Sequence, residues 1–253
     1  MKKVFLVLSL FIITVIPCFP QTPVKEDPYQ FVSDYIRAMS YYEQGMALGK
    51  EEAGKDETPD VGKIVSMLQS QNEYLEKAKS ELTPYLSGGD TWIASFVAPL
   101  MVENIDKGIQ ANNKLIEFTN KLSANTDYND ENSELGNEDV DIEQEMGKAV
   151  SGVRSAAKTV PSVLYNSKKE GQSDVIVFTV TKAQRTSLLK QIKASFGNKV
   201  DYYVKQLLAG KDDDFTEGQE AAVFGVATVR DILSSTTYAE WHKRLGKYKS
   251  KHE

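Results

Sequence analysis

The sequence predicts an all-α protein, an antiparallel bundle of about six or seven helices, and three observations carry that reading. Apolar residues recur at three- and four-residue steps over most of the chain, the period of one helix face. Three Thr-x-x-Gln/Glu segments (Thr181/Gln184, Thr216/Gln219 and Thr237/Glu240) have the spacing of capping boxes at separate helix starts. The links between stripes are short and polar, which makes antiparallel neighbours the default packing.

The first helix opens at Asp27-Pro28, an N-cap followed by proline at the position where its missing N–H costs nothing. Val32, Tyr35, Met39, Tyr42 and Met46 form its stripe, Gly49 is its expected end, and the polar stretch 50–59 reads as a loop. Asp60 caps a second helix bearing Val61, Ile64, Val65, Leu68, Leu75 and Leu82, closed by Pro84 and Ser87-Gly88-Gly89. Asp90 opens the longest pattern, Trp92, Ile93, Phe96, Val97, Leu100, Met101, Ile105, Ile109, Ile116 and Leu122. Pro99 should kink that helix or mark its start.

The interval 123–138 is the most polar and reads as a surface loop. A fourth stripe follows with Ile142, Met146, Val150, Val153, Ala157 and Val160. Its small residues Gly147, Ala149, Ser151, Gly152, Ser155 and Ala156 permit close approach by a neighbouring helix. Val175 to Val180 is the one β-branched run, and without a partner strand it reads as an extended connector docked on the bundle. Leu188, Leu189, Ile192 and Phe196 form the next stripe, which breaks at Gly197-Asn198; Val200, Tyr203, Val204 and Leu207 then run on to Gly210. A helix burying Ala222, Val226, Val229 and Leu233 and a short basic helix through Trp241 and Leu245 complete the chain.

The organisation expected is an export signal over 1–20, a tether over 21–26 and a helical domain over 27–253. An alternative organisation of that domain is two stacked three-helix units, 27–122 and 139–253, on either side of the acidic loop. The export reading rests on Lys2 and Lys3 before an apolar run from Val4 to Ile16, which Pro17 ends. The run is shorter than the ~20 residues a membrane-spanning helix needs. The one cysteine, Cys18, lies in this segment and is a candidate lipidation site, although Pro17 replaces the small residue such a signal places before its cysteine. A chain processed there keeps no cysteine for a disulfide, a thiolate nucleophile or a sulfur-ligated metal. Its formal charge of −6 becomes −8 on losing Lys2 and Lys3, which argues against nucleic acid as a partner.

Candidate chemistry is sparse. Asp127, Asn129, Glu131 and Glu138 follow calcium-loop spacing, but Asn132 stands where the loop needs its glycine. The run Asp212 to Asp214 reads as dipole complement to the following helix. His242 and His252 are the only histidines, and neither has an acidic neighbour at a purposeful spacing. Glu103, Asp106 and Glu117 lack the Glu-x-x-His of di-metal bundles. Trp241, Lys243, Arg244 and Lys247 could meet an anionic surface from the C-terminal helix. The clustered Tyr29, Tyr35, Tyr41 and Tyr42 read as core.

The expectation is therefore a non-catalytic, cofactor-free interaction or structural module, exported to the bacterial envelope or beyond. Its partner would be a protein or envelope component, and it would touch membrane only through the signal or a lipid anchor. The alternatives are a small-ligand-binding bundle with a pocket between helices lined by Trp92, Phe96 and Tyr residues, and, third, a carboxylate-dependent hydrolase.

Overall fold

A computed structural model of the chain describes residues 27–53, 60–87, 91–124, 134–209 and 215–249. Among them are eight α-helices: α1 (Pro28–Ala53), α2 (Val61–Leu82), α3 (Ala98–Ala124), α4 (Glu134–Ala157), α5 (Lys182–Phe196), α6 (Lys199–Ala209), α7 (Glu217–Leu233) and α8 (Tyr238–Lys249). The fold is all-α, as expected, with one or two helices more than the count read from sequence. None of the described helices is long and apolar enough to cross a membrane.

Helix starts follow their local signals. The Asp27 carboxylate accepts from the N–H groups of Tyr29 and Gln30, and Asp60 accepts from Gly62. The boxes at Thr181/Gln184 and Thr216/Gln219 are closed in both directions. The third is shifted. Thr237 Oγ1 accepts from Glu240 N–H, but the Glu240 carboxylate reaches back to the Thr236 N–H at 2.9 Å. That N–H, with Arg244 second, holds the Glu240 carboxyl below the usual carboxylate range.

Two expected boundaries move. α1 continues past Gly49 to Ala53, because Gly49 keeps helical backbone and the residues after it are good helix formers. α4 begins at Glu134, inside the interval expected to be loop. The break at Gly197-Asn198 is as expected, with Gly197 at φ +56° between α5 and α6. Pro99 acts through a π turn over Ile93–Val97. A proline lacks an N–H and crowds the carbonyl four residues back, and a widened turn just before α3 absorbs both effects.

Side-chain pairs give the packing directions. Arg37 of α1 meets Glu81 of α2, while Met46 meets Gln71, so α1 and α2 are antiparallel. Lys79 with Asp106, and Asn72 with Asn112, set α2 against α3. Lys114 with Glu145, and Asn104 beside Gly152, do the same for α3 and α4. A Cβ on Gly152 would lie 1.8 Å from Asn104 Oδ1, so the small residues of α4 do permit a close approach.

α7 closes the ring between α1 and α4. It is buried on nearly every side, as a helix that is apolar all round should be, and Gly218, Ala221, Ala222 and Gly225 let its neighbours come near. One core runs continuously from Phe31 of α1 to Trp241 of α8, and Tyr35 and Tyr42 lie within it. The connector after α4 carries a 3₁₀ turn over Ser167–Lys169 and a turn at Gly171, and its 175–180 stretch docks on the bundle through Ile176 and Val180, with isolated bridges from Tyr165 to Phe178 and from Val175 to Thr237.

Candidate interaction surface

Thr91 starts the π turn, its hydroxyl accepting from Ala94 N–H and its carbonyl from Ser95 N–H. Ile93, Ala94 and Val97 then point into the core, which turns Trp92 and Phe96 outward, four residues apart on one face. Their rings stack with centroids 4.4 Å apart and planes at 21°. Trp92 Nε1 donates to Ser162 Oγ at 3.0 Å, and Ser162 in turn donates to the Thr159 carbonyl, so the indole is fixed against the turn after α4. Trp92 is 49% exposed and Phe96 41%, and Leu86, in the 3₁₀ turn that ends α2 and packs against the π turn, is 41% exposed. Among the described residues these two rings stand outside the bundle instead of between its helices. They form an aromatic step on the outside of the bundle.

An open groove of about 830 Å³ lies between α2 and α3, bordered by Gln69, Asn72, Glu76, Ser80, Asn113 and Ile116. Asn72 bridges the helices there, accepting from Asn112 and donating to Asn113. A smaller depression of about 270 Å³ adjoins it at Lys79, Thr83 and Pro84.

The buried acids tie helices together. Asp34 accepts from the Tyr85 hydroxyl at 2.6 Å and from Gln30, and it pairs with Arg37, which also holds Glu81 at 3.0 Å. Burial first, and the Asp34 carboxylate second, push the Tyr85 hydroxyl far above the normal tyrosine range. Glu43, 3% exposed, accepts from Lys199 and from Gln219 Nε2 at 2.7 Å, joining α1 to α6 and α7. Asp231 and Asp201 share Arg230. Several of these contacts cross between helices, and removing one partner of a buried pair leaves the other charge uncompensated. Of the α3 acids, Glu103 pairs with Lys107 and Asp106 with Lys79.

The residues singled out from sequence fall in separate places. Trp241 is 4% exposed and packs edge-on to Tyr165 at 5.0 Å, so burial removes it from any outward-facing surface. Lys243 is exposed, while Arg244 is paired with Glu240 at 2.7 Å. Lys247 lies within α8, and its side chain is outside the described portion. Glu138 belongs to α4 and so to a helix rather than a loop. Asp127, Asn129, Glu131, Asn132, Cys18, His252 and the acidic run at 212–214 lie outside the described residues. Among the described residues no three acids or histidines are grouped to hold a metal ion.

His242 corrects the sequence reading. Its Nε2 lies 2.6 Å from Glu170 Oε1, a residue 72 positions away that the connector brings to α8. Periodicity and local spacing carry no signal for such a pair.

No protein family, curated protein or solved structure matches the chain.

Proposed function

We propose that the chain is an exported, non-catalytic helical protein of the bacterial envelope or secreted fraction that works as an interaction module, with the Trp92–Phe96 step as its contact surface. The exposed aromatic stack carries this reading. Two large rings and Leu86 remain in water on a chain that buries most of its other large apolar residues, and exposed aromatic area of this kind is what interfaces bury at their centres. The bond from Trp92 to Ser162 holds the indole in place, so a partner meets a rigid surface and loses little side-chain entropy on ordering it. The charged start, apolar core and proline of the first twenty residues support the address.

A photo-crosslinking amino acid placed at Phe96, in cells producing the full chain, tests the surface. A discrete adduct at position 96, absent when the same group stands at the exposed Lys107 of α3, is the expected result. No adduct at 96, or the same adducts at both positions, overturns it. Mass spectrometry of the N-terminus of the fractionated protein tests export, and an intact Met1-Lys2-Lys3 terminus on the bulk of the protein rejects it.

A small-ligand-binding bundle is the second reading, supported by the α2–α3 groove, whose volume lies within the range of ligand sites. Its polar border would suit a polar ligand. An Asn113→Trp substitution would fill the groove, and ligand-dependent thermal stabilisation that survives it would exclude this site.

A further inference from the structure

The charge of this protein is unevenly distributed. Residues 151–209 carry ten Lys and Arg against three Asp and Glu, in a chain whose formal charge is −6, so this segment is a cationic island on an acidic protein. Its centre is α5. That helix holds Lys182, Arg185, Lys190 and Lys193 and no acidic residue. Each of the other seven α-helices contributes at least one cation to an ion pair: Arg37, Lys79, Lys107, Arg154, Lys199, Arg230 and Arg244 are examples. Among the described residues, the ion pairs include none from α5.

The arrangement on the helix is regular. Leu188, Ile192 and Phe196 face the core, while Lys182, Thr186, Lys190 and Lys193 recur at four-, four- and three-residue steps along the exposed side. Ala183, Ser187, Ala194 and Ser195, also exposed, are small side chains, and the Lys193 ammonium donates to the Asn198 amide oxygen just past the end of the helix. Lys182 occupies the first helical position, where the dipole disfavours a cation. Arg185 lies 4.0 Å over the Phe178 ring at the edge of the stripe.

Where the chain enters the fold adds a second argument. Tyr29 Oη at the start of α1 lies 3.1 Å from Ser187 Oγ, and Ser33 and Gln191 are joined by two hydrogen bonds of 3.0 and 2.8 Å. The first turns of α1 therefore lie alongside α5. On the export reading, a lipid anchor at Cys18 would hold the start of α1, and α5 with it, near the headgroups.

We infer that the Lys182–Lys190–Lys193 face of α5 is a docking surface for an anionic phospholipid bilayer. This rests on the export reading for its biological setting, but its chemistry can be tested without it. Near an anionic membrane each lysine strengthens binding by roughly fivefold, so three together supply on the order of 100-fold. Because the attraction is through exposed charge, it weakens as salt shortens the screening length.

The test is co-sedimentation of the purified chain, in the form that cells accumulate, with phosphatidylglycerol/phosphatidylethanolamine vesicles and with phosphatidylcholine vesicles. Salt-sensitive binding to the first and not the second is expected. The K182Q/K190Q/K193Q variant should lose on the order of 100-fold in affinity. K63Q/K107Q/K114Q removes the same charge from α2 and α3 and should change binding only slightly. Circular dichroism melting checks that both variants are folded. Equal loss in both variants overturns the proposal, since net charge would then be responsible. So does absence of binding to anionic vesicles, or equal binding to neutral ones. Binding of free polyphosphate through α5 without vesicle binding likewise rejects the bilayer. N-terminal mass spectrometry reads export separately, so failure of either idea is seen by itself.

Discussion

Gly225 of α7 rests directly on Tyr35 of α1. A Cβ at 225 would stand 2.2 Å from the Tyr35 hydroxyl and 2.7 Å from the Ala157 Cβ of α4, so three helices converge where only hydrogen fits. The Tyr35 hydroxyl is fully buried and has no hydrogen-bond partner among the described residues. Gly225→Ala should therefore destabilise the protein by about 3 kcal/mol through overpacking. Tyr35→Phe should be neutral or stabilising by about 1 kcal/mol, since it removes an unsatisfied buried group. Urea unfolding of the double variant should recover part of the loss, because the phenyl ring relieves the contact at 225 but leaves Ala157 in place. Strict additivity would show that the hydroxyl is not the obstacle.

The buried Glu43 depends on its partners. Lys199→Met removes the cation that offsets it and should cost about 3 kcal/mol. Glu43→Gln in the same background should restore most of that stability. Denaturant midpoints of the four proteins in this cycle measure the coupling, and a zero coupling energy would contradict the pair.

The caps separate by geometry. Thr181→Ala and Thr216→Ala each break a closed box and should cost about 1 kcal/mol. Thr236→Ala leaves the N–H that Glu240 accepts and should cost well under that. Chemical denaturation of the three variants ranks them.

Alkaline pH should unfold the protein steeply. Burial raises the Tyr35 and Tyr42 hydroxyls far above their ordinary value, so they stay protonated in the fold while the unfolded chain ionises at about 10. The folded state then binds more protons than the unfolded one, so stability is full below about pH 10 and falls above it. Each tyrosine contributes a slope of up to roughly 1.4 kcal/mol per pH unit. Phenolate absorbance and circular dichroism followed together should show these residues ionising only as the helices melt. Full tyrosine ionisation in the folded protein would refute the assignment.

Trp92→Ala with Phe96→Ala should leave stability within about 1 kcal/mol, because both rings are half in water and their main contact is with each other. A loss above 2 kcal/mol in urea unfolding would make the step a structural element instead of a free surface.

Much of the fold was legible in advance because its signals are short. Asp27, Asp60, Thr181 and Thr216 act on N–H groups within three residues of themselves, so sequence spacing alone locates them. The apolar stripes obey the helical period for the same reason. Boundaries were less legible at Gly49, where good helix formers carry α1 on through a polar stretch, and at Glu134, where α4 starts within a composition that looked like loop. Aromatic residues misled in opposite directions. Trp241 looked available on a basic helix and is core, while Trp92 and Phe96 looked like pocket walls and stand outside. A helix pattern says which residues share a face, not which neighbour that face will meet.

From residue order and local chemistry come the all-α class, most helix starts and the acidic balance of the chain. Three-dimensional packing decided that α7 is enclosed by α1 and α4, that Glu170 reaches His242 and that Tyr35 lies under Gly225. It also left α5 as a helix that contributes to none of the ion pairs among the described residues. The division is physical. Caps and periodicity act over one or two turns, whereas ion pairing and burial depend on helices that meet only once the chain is folded.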